Sequence, residues 1–487
     1  MDSISQLPDA LLLGILSLLP AKDVVATMVL SKRWQFLWMF VPKLIYDDSY
    51  QNIEFERFSR FVYRSLLLHE APVIETLHFK LGPKSGVVDI GVWTRTAVKR
   101  CVRDLIVEMD CCSSSTAPVM LPRSLYSGCS ILVKLKLKKV VLVDVTSPFS
   151  FPSLKKLTLK SVKYPDDEFV QRLLSNCPVL ESLYVKQCID DNVTIFTVKV
   201  PSLKSLVLDN LVFRSTDIGS GYVIDAPSLE RFTLHDAYED RFCVIENEMP
   251  NIVEAYVDVA YSHPGTILSS ITSVKHLTLC ITSSEVIIYL TIHSCLYFFT
   301  ICILDFIFRI GTNKKCVAHH WKELGVLVSK PVATNIAFVL YSVLYCLQDA
   351  YPVGIVFCSL VYLEIWAMET EWSADLNLLM CVLRNSPNLR ALKLEQINSV
   401  PRQPRSCWRE PSSVPECVIW SLETLEWIEY EGAEEEKKII EFILRNAKCL
   451  KKATISTDST DPNEKLEMLK ALSLFPRRSP TCQLAFD

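Results

Sequence analysis

Phe151-Pro152-Ser153-Leu154-Lys155-Lys156-Leu157-Thr158-Leu159-Lys160 is the phrase on which the fold turns. It runs apolar, two variable, apolar, one variable, apolar, and the same order returns along most of the chain. Before it stand Ile74-Leu77-Phe79, Val102-Leu105-Val107 and Leu132-Leu135-Leu137. After it come Leu180-Leu183-Val185, Leu203-Leu206-Leu208, Leu229-Phe232-Leu234, Ile252-Ala255-Val257 and Val274-Leu277-Leu279. Beyond a gap the series resumes with Leu360-Leu363-Ile365, Leu389-Leu392-Leu394, Leu422-Leu425-Trp427 and Leu450-Ala453-Ile455. Many copies open on proline or cysteine, as in Cys177-Pro178-Val179-Leu180, Ala226-Pro227-Ser228-Leu229 and Ser386-Pro387-Asn388-Leu389. The second half of the phrase alternates, which is the period of a strand with one face inward. The leading apolar residue packs from the turn before it.

From Val102 to Val274 the first positions are separated by 30, 22, 26, 23, 26, 23 and 22 residues. That spacing resembles the leucine-rich repeat, whose units run to roughly 20–29 residues. One unit cannot bury its apolar face alone, so stacked copies are expected to form a parallel sheet. The intervening pairs Lys155-Lys156, Glu181-Ser182, Lys204-Ser205 and Glu230-Arg231 are expected in solvent. The asparagine that usually follows the last leucine is largely missing, with only Cys188 well placed, which predicts an irregular solenoid.

Composition narrows the function classes. The chain has 487 residues, room for two or three domains or one elongated solenoid. Half of it is apolar, 22% is charged and the net charge is −4, so the basic face of a nucleic-acid binder is not expected. Its 18 cysteines are scattered without a C-x-x-C pair. They read as buried thiols of a reduced nuclear or cytoplasmic protein. The adjacent Cys111-Cys112 reads as loop or core filling.

The amino-terminal stretch carries a different pattern. Leu7-Pro8-Asp9 leads into Leu11, Leu12, Ile15, Leu16 and Leu19, a helical spacing that Asp9 is placed to cap and Pro20 to stop. A second helix is expected over Lys22–Val29, and Ser31 is placed to cap a third that carries Trp34 and Trp38. Three short helices are too few to enclose a core, so their leucines and tryptophans point to a partner. Asp2 and Asp9, with no lysine or arginine before Leu11, exclude a secretory signal. Leu7-Pro8-Asp9, Ile15-Leu16, Leu19, Val24-Val25, Ser31-Lys32-Arg33-Trp34 and Leu37-Trp38 make Met1–Ile45 resemble an F-box. The resemblance implies docking on the linker subunit of an SCF (cullin-RING) ubiquitin ligase and, through it, on cullin. Leu7, Pro8, Ile15, Leu16, Leu19, Trp34, Leu37 and Trp38 are the expected linker contacts.

One segment breaks the repeat. Val274 to Leu360 is 86 residues and contains Val286–Leu304, nineteen residues in which His293 is the one potentially charged side chain. Excising 286–348, which is 63 residues, restores a 23-residue step. Valine codons begin GT and the glutamine codon CAG ends AG, as the ends of an intron must. Residues 286–348 therefore read as a retained intron or an error of gene structure. The competing readings are a membrane hairpin anchored through Val286–Phe308 and a helical insertion. His319-His320 lacks a third ligand at metal spacing.

Prolines 401, 404, 411 and 415 punctuate a linker. Glu434–Arg445 then reads as an amphipathic helix with a solvated acidic start, and Lys465–Leu474 as another. Residues 408–487 resemble the FBD domain that ends many plant F-box proteins, which implies an extension of the repeats. With twelve glycines, no P-loop, no G-x-G-x-x-G and no G-x-S-x-G elbow, the chain reads as a binder with no cofactor and no metal. The expected architecture is α/β: an F-box of three helices (1–45), a leucine-rich-repeat solenoid (46–407) and an FBD module (408–487). The expected function is that of a ligase substrate receptor holding a protein target. A leucine-rich-repeat scaffold without ligase activity and a membrane-anchored receptor using Val286–Phe308 are the alternatives.

Overall fold

The computed structural model describes residues 4, 7–48, 55–82, 87–109, 119–145, 148–187, 192–210, 219–236, 241–259, 264–282, 355–368, 379–397 and 410–486. Two compact units emerge, Met1–Asn251 and Ile252–Asp487.

The first unit opens with α1 (Asp9–Leu16), α2 (Ala21–Ala26) and α3 (Trp34–Leu37), then β1 (Lys43–Asp47) and α4 (Phe55–Leu68). It continues through β2 (Thr76–Leu81), α5 (Val87–Lys99), β3 (Asp104–Met109), β4 (Val119–Met120) and α6 (Ser124–Ser127). Next come β5 (Lys134–Lys138), β6 (Val140–Val141), β7 (Lys156–Lys160), α7 (Asp167–Ser175) and β8 (Ser182–Lys186). The last elements are β9 (Ile195–Lys199), β10 (Ser205–Asn210), β11 (Gly221–Asp225), β12 (Arg231–Asp236) and β13 (Phe242–Ile245). Strands β1, β2, β3, β5, β7, β8, β10 and β12 pair in that order, all parallel.

A repeated backbone step builds this ladder. The Val133 carbonyl accepts from the amides of Lys155 (2.9 Å) and Lys156 (3.0 Å), and the Lys155 carbonyl accepts from Glu181 and Ser182 (both 2.9 Å). Glu181 does the same for Lys204 and Ser205, and Lys204 for Glu230 and Arg231. Just before each step the chain makes a tight turn, in which the leading leucine donates to the residue three back: Leu154 to Phe151, Leu180 to Cys177, Leu203 to Val200 and Leu229 to Ala226. The turn drops that leucine into the core, where Leu154, Leu180, Leu203 and Leu229 are wholly buried. Fully burying such a side chain contributes roughly 1.5–3 kcal/mol. Alternation then sends Leu157 and Leu159 inward and Lys156, Thr158 and Lys160 outward.

Helices cover the inner side of the sheet only part of the way. From β9 onward a second parallel sheet, β9–β11–β13, takes over that side, and Phe196, Val198, Tyr222 and Ile224 fill the space between. Gly221 of β11 lies so close to β13 that a Cβ there would strike the Phe242 carbonyl and ring. These three strands lie between the recurring phrases and do not carry the phrase themselves. The missing asparagine has a substitute as well. Gln187, Asn210 and Asp236, each two residues past the last inward aliphatic residue of its strand, are buried, and Asn210 Nδ2 donates to Asp236 Oδ1 at 3.5 Å. Arg241 Nε donates to Asp236 Oδ2 (2.9 Å) and an Arg241 amino group to Gln187 Oε1 (3.1 Å). Tyr222 donates its hydroxyl to the same Gln187 oxygen at 2.8 Å, and the Arg241 guanidinium lies over its ring.

The second unit contains β14 (Glu254–Val259), α8 (Pro264–Ser270), β15 (His276–Thr282), β16 (Tyr362–Met368) and β17 (Ala391–Ile397). It ends with α9 (Glu416–Trp420), β18 (Thr424–Ile428), α10 (Glu434–Asn446), β19 (Lys452–Ile455), α11 (Pro462–Leu474) and β20 (Gln483–Phe486). These strands pair in sequence order and parallel. Strands β18 to β20 therefore continue the ladder of this unit through the carboxyl-terminal stretch. The acidic start of α10 is not wholly solvated: Glu436 is buried, accepting from the amides of Ala433 (2.8 Å) and Glu431 (3.2 Å). These two bonds satisfy amides that the helix start and its preceding turn leave open.

Residues 286–348, His319-His320, Cys111-Cys112, Cys188 and most of the proline-rich linker lie outside the described residues. On either side of the long interval, however, β15 and β16 are direct neighbours. The Lys275 carbonyl accepts from Val361 (2.9 Å) and Tyr362 (3.1 Å), the same step as between the repeats of the first unit. Among the described residues no helix is long and apolar enough to cross a membrane, and no three His, Cys, Asp or Glu side chains gather as a metal site. Burial pushes the Cys177 and Cys417 thiols up to about 12.

Asp236→Ala leaves the Arg241 guanidinium buried without its carboxylate and is expected to cost about 3–5 kcal/mol, read from urea unfolding. A chain that joins Glu285 directly to Asp349 is expected to keep the amides of β15 and β16 as protected from hydrogen exchange as in the full chain. Loss of protection in either strand would show that the ladder needs the interval.

Candidate functional site

Helices α1 to α3 pack around a small core of their own: Leu12, Leu16, Val24, Trp34, Leu37, Trp38 and Val41, with Leu7, Leu13, Val25 and Met39 at its margin. Expected caps are replaced by other contacts. Pro8 occupies the position before α1, and Asp9 lies within the helix, its carboxylate accepting from Arg33 Nε at 3.0 Å. An Arg33 amino group also donates to the Leu7 carbonyl at 2.5 Å, clipping Leu7-Pro8-Asp9 to the start of α3. Ser31 caps nothing by its side chain; its carbonyl accepts from the Gln35 amide. The second helix begins at Ala21 and tightens to a 3-10 turn over Thr27–Val29, close to the expected span.

This geometry divides the expected contact residues. Leu16, Trp34, Leu37 and Trp38 are inside, with at most 7% of their surface exposed. Their side chains pack in the core of the three helices. The physical reason is that α1 carries two apolar stripes: Leu12 and Leu16 turn inward, and Leu11, Ile15 and, just past the helix, Leu18 turn outward. Both stripes have helical spacing, so periodicity by itself does not rank them. Of the expected set, Pro8, Ile15 and Leu19 are exposed and Leu7 is half-buried. The sequence reading missed Leu18, Val29 and Leu30, exposed by 79%, 83% and 62%. With Leu11, Ile15 and Met28 they give this end of the molecule a large number of solvated apolar side chains. Such patches mark interaction surfaces.

The helices are also seated on the ladder. Pro42 offers its carbonyl to the amides of Glu75 (2.8 Å) and Thr76 (3.2 Å), the step that advances the repeats, so β1 is in effect a strand of the solenoid. The Met39 carbonyl accepts from Glu70 and Ala71, and His69 Nε2 lies 2.8 Å from the Val41 carbonyl. Arg100 donates to His69 Nδ1 at 3.2 Å and to the carbonyls of His69 and Ala71. The ring therefore holds its proton on Nε2 and donates it to Val41. Burial lowers the His69 pKa against the opposing bond to Val41, and the Arg100 charge lowers it further.

An apolar three-helix end, a parallel leucine-repeat ladder in each unit and a carboxyl-terminal stretch that prolongs the second unit's ladder define the F-box, leucine-rich-repeat and FBD class of protein. The family models agree in order: the F-box domain matches residues 4–46, the LRR repeats of FBD-associated F-box protein At5g56370 match 90–249, and FBD matches 410–455. The chain is 54% identical to the probable FBD-associated F-box protein At1g32375 of Arabidopsis thaliana, over the whole of both chains. It is 52% identical to the putative FBD-associated F-box protein At5g50270 of the same plant, covering 96% of this chain and 100% of that one. Identity to its F-box/FBD/LRR-repeat protein At5g56420 is 40%, covering 100% and 99%. The chain belongs to the FBD-associated F-box protein family.

Trp34→Ala removes one of the two largest side chains of the helical core and is expected to lower the opening free energy of α1–α3 by about 3–5 kcal/mol. Hydrogen exchange read by mass spectrometry should show faster exchange in these helices, with β7 to β12 unchanged.

Proposed function

We propose that this protein is a substrate-receptor subunit of an SCF-type cullin-RING ubiquitin ligase. Residues 1–45 dock on the linker subunit and through it on cullin. Residues 46–407 hold a protein target, and residues 408–487 extend the ladder of the second unit. The chain itself is non-catalytic in this reading. It raises the local concentration of a target lysine near the ubiquitin-loaded enzyme, and proximity of that kind needs no acid, base or metal from the receptor. The nucleus and cytoplasm are where such complexes would act.

The observation that carries the proposal is the outward apolar surface of the helical end, on a unit whose own core is already complete. Leu11, Ile15, Leu18, Leu19, Val29 and Leu30 have no internal role that requires their exposure. Leu7 and Pro8 are held beside them by Arg33. The seating of the helices on β1 and His69 supports the second half of the reading, because a target held by the repeats of the first unit then keeps a fixed distance from the ligase.

The test is a titration of the full chain with purified linker subunit. Ile15→Asp with Val29→Asp is expected to weaken binding by about 100-fold, since each large apolar side chain kept from burial forfeits roughly 1.5–3 kcal/mol. Circular dichroism should remain that of the native chain. Unchanged affinity would refute the docking surface. Binding to linker without assembly on cullin would favour a scaffold without ligase activity.

A further inference from the structure

The outward face of three neighbouring strands in the first unit carries a bank of lysines. Lys134, Lys136 and Lys138 of β5, Lys156 and Lys160 of β7 and Lys186 of β8 hold the positions that alternate with the buried leucines. Register sets them side by side. Lys134 is opposite Lys156, and Lys138, Lys160 and Lys186 form one row across the three strands. Neighbouring strands are about 4.8 Å apart, and like charges directly opposite one another destabilise a sheet.

Carboxylates meet this bank from its margins. Asp104 is opposite Lys134, Glu108 is 2.6 Å from Lys136 and Asp209 is 2.8 Å from Lys186. Glu181, just before β8, pairs with Lys155 at 3.0 Å. Across the strands themselves the register sets ammonium beside ammonium, in a chain whose net charge is −4. The concentration of charge is local and is not a by-product of basic composition. Cross-strand repulsion of this kind breaks a local rule of sheet stability, and such violations belong at functional positions.

We infer that the outward face of β5, β7 and β8 docks an Asp- and Glu-rich segment of the protein substrate. The inference rests on the receptor role proposed above. Charge complementarity selects the occupant: ammonium groups meet carboxylates as point charges, without the arginine fork that suits phosphate. Nucleic acid fits less well, because single strands need aromatic platforms for their bases. Tyr184, the aromatic residue among these outward positions, is overlaid by the Lys160 ammonium at 4.7 Å and donates its hydroxyl to Asp209 at 2.9 Å.

The experiment uses the full chain and a variant carrying Lys138→Gln, Lys156→Gln and Lys160→Gln, titrated with a fluorescent glutamate oligopeptide and an oligothymidylate of equal charge. The native chain is expected to bind the peptide more tightly than the oligonucleotide, with affinity falling as salt rises. The variant should lose about tenfold or more of the peptide affinity while its melting temperature stays equal or rises. Equal peptide affinity in the two chains overturns the inference. So does tighter binding of the oligonucleotide, or a fall in melting temperature large enough to mark the lysines as structural. Linker binding measured on the same variant should be unchanged. A native chain that fails to bind linker would count against the receptor role and leave the peptide result standing.

Discussion

One backbone contact organises each unit: at the foot of most ladder strands a single carbonyl accepts two successive amides from the next repeat. It fixes where the following strand begins, and it does so with atoms every residue type possesses. Once the start is fixed, alternation decides the rest. The leading leucine and the two that follow go to the core, and the residues between them face out. The repeats therefore tolerate wide variation outside while the interior stays mostly apolar, aliphatic and aromatic together. Side-chain identity plays no part in the step itself; Val133, Lys155, Glu181 and Lys204 all supply the same carbonyl although their side chains have nothing in common.

The same contact joins the helical end to the repeats. Pro42 lacks an amide to donate, but its carbonyl serves the step to Glu75 and Thr76 as any other would. The amino-terminal helices are thus stacked on β1, with His69 and Arg100 closing the backbone beneath them. Their small core needs Trp34 and Trp38 inside, and that leaves the opposite stripe of α1 in water. Division of labour between two apolar stripes on one helix accounts for both the stability of this end and its exposed surface.

Where strands replace helices behind the ladder, polar side chains enter the interior together. Asp236 and Arg241 are almost wholly buried, and Gln187, Tyr222 and Asn210 surround them. A buried charge is tolerable when it is paired and its remaining hydrogen bonds are met. The arrangement fills the place that an asparagine ladder takes in more regular repeats, with bonds running between side chains of successive turns. Burial of Glu436 at the start of α10 follows the same logic, a carboxylate brought inside to meet amides at the helix start.

The thirteen phrases read from the chain all became parallel strands, and the helices at Asp9, Glu434 and Pro462 were visible in their spacing. These features are local: period, turn residues and apolar alternation are written in consecutive positions. Strands β1 and β20 escaped because they lack the full phrase, and β9, β11 and β13 because short alternating runs between repeats fit loops as well. What the tertiary structure alone decided was orientation. It chose which stripe of α1 to bury, turned Trp34 and Trp38 from surface to core, and brought lysines 26 residues apart, Lys160 and Lys186, into one row. A sequence states which residues share a face, but only the packing of that face against distant segments determines whether it meets the core or the water.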